Sequence, residues 1–156
     1  MIKLASLAFA LILSAPAVAS DGWYCWQEAS DRYGVPVDLL YSIAMVETGN
    51  KAKIVSKANQ NGSYDIGLMQ INSSHLRRLA KYDISESELL NNACLNLHVG
   101  AWILSDSISR HGLNWKGVGA YNAATPSKRR VYAEKVISMY ERIVKKRSSD
   151  VLNVAY

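Results

Sequence analysis

One glutamate, Glu47, stands at the end of an apolar helical stripe in the first third of the chain. It follows Leu40, Ile43 and Ala44 at the spacing i, i+3, i+4, i+7, so all four share one face of a predicted helix. A carboxyl group on such a face loses hydration, which penalises its charged form and raises its pKa. A carboxyl group with a raised pKa can donate a proton near neutral pH, as a general acid must. The alternative is an exposed glutamate paired with a lysine such as Lys51.

A polar loop follows this helix and leads into the segment from Asp65 to Asn72, where apolar and amide residues mix without a clean period. Gly67 lets the backbone come close to a ligand, and Gln70 and Asn72 offer donors and acceptors to sugar hydroxyl and acetamido groups. Taken alone, the segment is also consistent with a turn followed by a buried stretch. Brought against a carboxylic acid on an apolar helix, it suits acid-catalysed cleavage of a sugar bond.

Three short signatures occur in order along the chain: Glu47-Thr48, then Gly-Leu-Met-Gln-Ile-Asn at residues 67–72, then Ala-Tyr-Asn-Ala at residues 120–123. Together they resemble the signatures of the soluble lytic transglycosylase catalytic domain, which belongs to the lysozyme-like superfamily. The resemblance covers about residues 23–142. The small, single-domain members associated with conjugation, type III secretion and type IV pilus assembly share two further features with this chain. These are a Cys-Trp opening, here Cys25-Trp26, and a C-L-N-L…G-A-W-I-L helix, here residues 94–104.

The resemblance implies a role for each signature. Glu47 would protonate the glycosidic oxygen between N-acetylmuramic acid and N-acetylglucosamine in peptidoglycan. It would then act as the base for the muramyl 6-hydroxyl, which attacks the anomeric carbon and leaves a 1,6-anhydro end. Tyr121 would hydrogen-bond near Glu47 or the substrate, and the backbone of residues 67–70 would line the glycan groove. The expected substrate-binding residues lie in or beside the signatures: Tyr64, Gly67, Leu68, Met69, Gln70, Asn72, Tyr121 and Asn122. No cofactor is expected.

Three positions depart from the family pattern. Thr48 stands where the family usually has serine, and Ala124 replaces a glycine. Asp65 is an acid where many members have none, and its surroundings resemble the animal-type lysozyme segment that carries the second catalytic carboxylate. We therefore expect Asp65 to be a second catalytic residue, which could stabilise an oxocarbenium-like transition state or act as a nucleophile. The alternative is a loop aspartate that caps its own turn.

Helices must position these residues, because helical periodicity covers most of the chain. It predicts helices at residues 23–33, 38–47, 73–81, 92–110, 115–122 and 127–146, and a short one that begins with a capping box formed by Ser85 and Glu88. Gly49 or Asn50 would end the Glu47 helix with a left-handed cap. The predicted fold is mainly α, an α+β lysozyme-like compact helical domain with at most a small β element near residues 54–70.

The amino terminus has the pattern of a secretory signal peptide. Lys3 precedes an apolar run at residues 4–13, and Ala17-Val18-Ala19 forms an A-x-A cleavage site, so residues 1–19 are expected to be removed on export. No cysteine follows the site immediately, so no lipid anchor and no membrane anchor is expected. The remainder is predicted to form one lysozyme-like domain at residues 20–147 and a carboxyl-terminal tail at residues 148–156, which places the protein in the periplasm or outside the cell.

The chain has two cysteines, Cys25 and Cys94. In an oxidising compartment they are expected to form a disulfide, since neither lies in a C-x-x-C or zinc-binding spacing. Two free buried cysteines are the alternative. The three histidines are scattered without metal-ligand spacing, so no metal site is expected.

The formal net charge is +5, with basic runs at residues 128–130 and 145–147. Such a surface suits anionic peptidoglycan, whose glycan strands are the expected partner, and a component of a type III or type IV secretion or pilus machine, although basic runs are usually only a solvated helix face. Nucleic acid is disfavoured because no reading motif is present. We expect a monomer.

Two alternatives to a transglycosylase stay open. A muramidase would use water, with both Glu47 and Asp65 essential, and would release reducing ends instead of anhydro ends. A non-catalytic glycan-binding or assembly factor would keep its function when Glu47 is replaced by glutamine.

Overall fold

The computed structural model describes the backbone of residues 22–154 and the side chains of residues 25–150. Within residues 22–154 it contains seven α-helices and one two-stranded sheet. The helices are α1 (Gly22–Tyr33), α2 (Val37–Thr48), α3 (Leu76–Leu79), α4 (Glu86–Asn91), α5 (Ala93–His111), α6 (Trp115–Asn122) and α7 (Pro126–Val154). The prediction of a mainly α domain is confirmed. The predicted signal peptide at residues 1–19 lies outside the described residues.

The small β element is also present. Strand β1 (Asp65–Ile66) pairs antiparallel with β2 (Ile71–Asn72), with Asp65 opposite Asn72. An isolated bridge joins Val55 to Ile66. The bridge and β1 lie inside the predicted range of residues 54–70, and β2 lies just beyond it. The hairpin therefore carries the second signature across its turn.

Helix α2 begins after Pro36 and ends at a left-handed cap. Gly49 has φ 63° and its N–H donates to the Met45 carbonyl, while the N–H of Asn50 donates to the Ala44 carbonyl. This pair of bonds satisfies carbonyls that the end of a helix would otherwise leave open. The cap predicted at Gly49 or Asn50 is confirmed, and it ends the helix just after Glu47.

Most of the other predicted helices agree with the structure within one or two residues, and the capping box of Ser85 and Glu88 is present. Residues 73–81 differ, since they form a 3₁₀ turn, the single turn α3 and a second 3₁₀ turn, which ends where Asp83 adopts φ 57°. Helix α7 also differs, because it continues to Val154 through most of the segment for which no regular pattern was predicted. Residues 155 and 156 lie outside the described residues.

The helices α2 and α7 pack side by side in opposite directions. Near the start of α7, Tyr132 contacts Glu47 at the end of α2; further along α7, the Arg147 guanidinium lies 2.7 Å from Asp38 at the start of α2. The core beneath them is apolar and fully buried. It includes Leu40, Ile43, Leu97, Leu104, Ala133 and Val136. This packing is what removes water from the end of α2.

A disulfide joins Cys25 on α1 to Cys94 on α5, as predicted, across a sequence separation of 69 residues. Closing a loop of this length lowers the entropy of the unfolded chain. In the chain-entropy account this stabilises the folded state by roughly 4 kcal/mol. The bond connects the first helix to the central one. Among residues 22–154, no helix combines the length and the apolar character needed to cross a membrane.

Candidate active site

Glu47 occupies the last turn of α2 and faces α7. The Tyr132 hydroxyl donates a hydrogen bond of 2.6 Å to its Oε1 atom. Tyr132 is itself buried, with 7% of its surface exposed. The side chain of Asn122, the last residue of α6, is close enough to lower the pKa of the carboxyl group. Three helices therefore converge on one carboxyl group.

Burial raises the pKa of Glu47 to about 7 from an ordinary value of 4.5. Its hydrogen bond from Tyr132 opposes this shift, because a donated hydrogen bond favours the charged carboxylate. The negative charge of Asp65 adds to the increase, while the nearby Asn122 amide and the positive charge of Lys135 lower the pKa. Desolvation outweighs the donors, so at neutral pH both protonation states of Glu47 are substantially populated.

Two tyrosines enclose the acid. The Tyr121 ring lies against the Tyr132 ring, with centroids 6.5 Å apart and planes inclined by 27°. The Tyr121 hydroxyl donates to the Met69 carbonyl at 2.7 Å. Burial raises the pKa of both phenols well above the usual value, and the Glu47 charge adds to that increase. Both hydroxyls consequently remain protonated donors across the neutral range.

The second signature is held against α2 by backbone contacts. The Thr48 hydroxyl donates to the Leu68 carbonyl at 3.0 Å, directly beside Glu47. Thr48 replaces the usual serine and retains the hydroxyl that makes this bond. Together with the bond from Tyr121 to Met69, it connects the hairpin turn to both α2 and α6.

A buried amide on α5 holds the other side of the same turn. Asn96 is 1% exposed, and its Oδ1 accepts from the Met69 N–H at 2.8 Å. Its Nδ2 donates to the carbonyls of Ile66 and Leu89 at 2.9 and 3.0 Å. Gly67 has φ 74°, and a β-carbon there would overlap the Asn96 amide. Glycine is needed at position 67 for the turn and for this close approach.

A cleft of about 880 Å³ opens beside this arrangement. Five of the predicted site residues line it: Asp65, Gln70, Asn72, Tyr121 and Asn122. Glu47 lies behind the lining, next to Asn122. The remaining lining is mostly polar and comes from the loop at residues 59–63 and from residues 123–129 at the start of α7. The cleft therefore extends from the hairpin to the start of α7.

Asp65 faces the cleft within a group of polar side chains. The Asn72 amide donates to its Oδ1 at 2.7 Å, and Ser56 and Asn59 lie 3.5 Å from its Oδ2. Asn72 also accepts a hydrogen bond from the Ser74 N–H. Asn72 thus orients Asp65 from the opposite strand of the hairpin.

Four predicted substrate-binding residues do not line the cleft. The Tyr64 hydroxyl donates to Glu86 at 2.8 Å. Leu68 and Met69 are 6% and 0% exposed, and Gly67 is buried. The backbone groups of Gly67, Leu68 and Met69 hold the turn, and contact of these residues with a glycan stays a prediction. Gln70 both holds the turn, through the bond that its Nε2 donates to the Gly67 carbonyl, and lines the cleft.

Neither Tyr132 nor Asn96 was among the residues predicted from the sequence. Tyr132 shares a helical face with Ala133, Val136 and Tyr140, and a hydroxyl on that apolar stripe was an available signal. Asn96 had no comparable local signal, since its partners lie on distant segments. Within residues 25–150, one cluster has the geometry of metal ligands, Cys25, Cys94 and His98, but its two sulfurs form the disulfide.

Comparison with known proteins agrees with this geometry. The family profile described as "Transglycosylase SLT domain" matches residues 24–141. The chain is 43% identical over 123 residues to "Invasion protein IagB" of Salmonella typhi, which covers 76% of each chain. It is 41% identical over 124 residues to "Protein IpgF" of Shigella flexneri, covering 76% of this chain and 80% of that protein. It is 37% identical over 129 residues to "Peptidoglycan-binding-like protein" of Escherichia coli O157:H7, covering 76% and 77%.

The profile spans all three signatures and α1 to most of α7, and it confirms the resemblance that the signatures indicated. Members of this family act on peptidoglycan. The chain belongs to the transglycosylase SLT domain family.

Proposed function

We propose that the protein is a lytic transglycosylase that cleaves the β-1,4 bond between N-acetylmuramic acid and N-acetylglucosamine and forms a 1,6-anhydro product. One observation carries the proposal: the Glu47 carboxyl group is desolvated, has a pKa of about 7, and lies beside the cleft. An acid with this pKa can both give and take a proton at neutral pH.

The reaction needs one carboxyl group in two states. Protonated Glu47 gives its proton to the glycosidic oxygen as the bond between that oxygen and the anomeric carbon breaks. The muramyl 6-hydroxyl oxygen then bonds to the anomeric carbon, and its proton returns to the Glu47 carboxylate. Tyr132 holds Oε1 throughout, since its hydroxyl stays protonated. The acid is therefore restored at the end of each cycle without water.

The lining of the cleft fits an N-acetylated sugar chain. Asn122 lines the cleft and its amide acts on the pKa of Glu47, so the glycosidic oxygen would approach Glu47 from this side. Gln70 and Asn59 place further amide groups along the same surface. Amides supply both donors and acceptors, which suits hydroxyl and acetamido groups. We assign substrate binding to Asn122, Gln70 and the backbone around Tyr121.

A hydrolytic muramidase is the second candidate, and the position of Asp65 favours it. Asp65 lines the cleft, and its charge acts on Glu47. In a retaining glycosidase a second carboxylate stabilises the developing positive charge or forms a covalent intermediate. Asp65 could also support a transglycosylase by stabilising the same transition state.

Mass spectrometry of the muropeptides released from purified peptidoglycan tests the proposal. Anhydro ends from the unaltered protein are expected, and release should stop in the Glu47→Gln variant. Reducing ends would identify a muramidase instead. Release by Glu47→Gln equal to that of the unaltered protein would remove Glu47 as the acid, and no release by either protein would leave a non-catalytic glycan-binding or assembly factor.

We further propose that this activity opens the cell wall locally for a secretion, conjugation or pilus apparatus from the periplasmic side. Support comes from the predicted signal peptide, from the resemblance to small members of the family, and from a relative that carries the name invasion protein. Loss of secretion, conjugation or piliation after deletion is the expected outcome, with rescue by the unaltered gene but not by Glu47→Gln. Full function of the deletion strain would contradict this role.

A further inference from the structure

Four exposed cations form a straight row along α7. Lys128, Lys135, Arg142 and Lys146 follow one another at intervals of seven, seven and four residues. At about 100° per residue, these positions fall within about 40° of one another around the helix axis. We call this set the basic row. Its successive members are separated by about 10, 10 and 6 Å along the axis, at about 1.5 Å per residue.

Two of the three acids on α7 lie on another side of the helix from this row, and the third, Asp150, follows Lys146 by four residues, about 60° from the centre of the row. Glu134 and Glu141 lie more than about 100° from the centre of the basic row, on another side of the helix. Arg130, outside the row, is paired with Glu134 at 2.9 Å. None of the four cations in the row forms an ion pair with a described side chain. Their charges are therefore available to an external partner.

The basic row begins at the cleft. Lys128 lines the cleft, and the charge of Lys135 is close enough to lower the pKa of Glu47. Tyr132, whose hydroxyl contacts Glu47, lies about 60° from the centre of the row on the side toward α2. Arg142 and Lys146 continue the row away from the cleft. The row is thus continuous with the surface that would hold the reacting sugars.

We propose that the basic row binds the carboxylate groups of the peptide stems along the peptidoglycan strand as that strand leaves the cleft. This inference rests on the proposed function, because it takes peptidoglycan as the substrate. Uncharged sugars give the cations no partner, whereas the peptide stems present carboxylates at repeated positions along the strand. Exposed pairs of this kind are individually weak, so several in a row are needed for a measurable contribution.

The experiment compares binding to insoluble purified peptidoglycan by co-sedimentation at low salt. All proteins carry Glu47→Gln, so that the polymer is not digested. The test variant adds Arg142→Gln and Lys146→Gln, the two members of the row most distant from Glu47. The matched control adds Lys81→Gln and Lys145→Gln, which remove the same charge from exposed positions outside the row. A second polymer preparation has its carboxyl groups converted to neutral amides.

The test variant should bind about threefold to tenfold more weakly than its parent, and the control should bind as the parent does. The parent should lose a similar factor on the amidated polymer, where the test variant should lose little more. Equal weakening of test and control would overturn the proposal, because net charge alone would then explain it. Equal binding of the parent to amidated and untreated polymer would also overturn the proposal, and this comparison does not depend on the stability of the test variant.

Cleavage by the unaltered protein is measured separately on untreated polymer. Anhydro products together with unchanged binding of the test variant would reject the basic row and keep the proposed function. The absence of cleavage would reject the proposed function whatever the binding comparison showed.

Discussion

Two regions hold a carboxyl group at the cleft, Glu47 behind its lining and Asp65 in the lining, and their surroundings differ in almost every physical respect. Glu47 lies at the end of a helix, among buried side chains, with the hydroxyl of Tyr132 on one oxygen. Asp65 lies in a two-stranded hairpin, with the Asn72 amide on one oxygen and Ser56 and Asn59 near the other. The first region is assembled from α2, α6 and α7, whereas the second comes from one local segment.

The difference shows how surroundings assign a role to the same chemical group. Removing water from Glu47 raises its pKa to about 7, and few donors compensate for the loss. The charge of Asp65 adds to this increase from a distance, because it stabilises the protonated form of Glu47. Glu47 therefore suits the position of a proton donor, and Asp65 suits a second position along the same glycosidic bond, where its charge keeps Glu47 protonated.

Glu47→Gln should have the largest effect on activity, since the amide cannot give or take the catalytic proton. We expect the rate of glycan cleavage to fall by about 10²–10⁴-fold. Glu28→Gln is the matched control, because Glu28 is an exposed glutamate outside the cleft. Release of soluble fragments from labelled peptidoglycan measures the rate. A Glu47→Gln variant within tenfold of the unaltered protein would remove the distinction between the two carboxyl groups.

The same substitution should stabilise the fold at high pH. The raised pKa means that, between pH 4.5 and 7, the folded chain keeps a proton that the unfolded chain has released. The free energy of unfolding therefore falls as the pH rises through this window, by as much as about 3 kcal/mol. Glutamine carries no such penalty, so denaturant unfolding should show a stability advantage of Glu47→Gln that grows from pH 4.5 to pH 7. A constant difference across this range would contradict the burial of Glu47.

Asp65→Asn should lower activity by about tenfold, equivalent to about 1.4 kcal/mol of transition-state stabilisation. Because the charge of Asp65 raises the pKa of Glu47, its removal should also move the alkaline limb of the rate profile to lower pH. Asp83→Asn makes the same chemical change outside the cleft, at a left-handed position that asparagine tolerates. An unchanged limb and unchanged products would reduce Asp65 to a turn residue.

Tyr132→Phe should have the smallest effect on the rate, and it should shift the pKa of Glu47 in the opposite direction to Asp65→Asn. Losing one hydrogen bond to a carboxylate costs about 1 kcal/mol, or about fivefold in rate. The bond from Tyr132 lowers the pKa of Glu47, so the alkaline limb should move to higher pH. Tyr140→Phe, on the same helix, is the control. If the alkaline limb of the rate profile shifted in the same direction in Asp65→Asn and in Tyr132→Phe, the two regions would not act separately on Glu47.

Features that depend on neighbouring residues were predicted well. The cap at Gly49 and the capping box at Ser85 were both identified, because each arises from contacts within a few residues. The helix predicted at residues 73–81 was less accurate, since two 3₁₀ turns replace most of it. Local periodicity indicates helical turns, but it does not distinguish the hydrogen-bond spacing of an α-helix from that of a 3₁₀ helix.

Apart from the Cys25–Cys94 disulfide, the contacts between distant segments could not be predicted. Leu68 and Met69 belong to a signature, yet their side chains are buried and their carbonyls receive hydroxyl groups from Thr48 and Tyr121. Asn96 makes three hydrogen bonds to two separate segments, and no pattern near it in the chain indicates them. Burial and partner choice at these positions are decided by which helices pack together.

The amino-acid order alone determined that Glu47 ends an apolar helix, that a glycine-containing turn follows, and that two cysteines can pair. Each of these follows from spacing within one segment or from composition. Tertiary packing decided how dry Glu47 is and which hydroxyl holds it, since Tyr132 is 85 residues away along the chain. The physical reason is that the pKa of a carboxyl group depends on the water and charges around it in space, and those come from α6, α7 and the hairpin together.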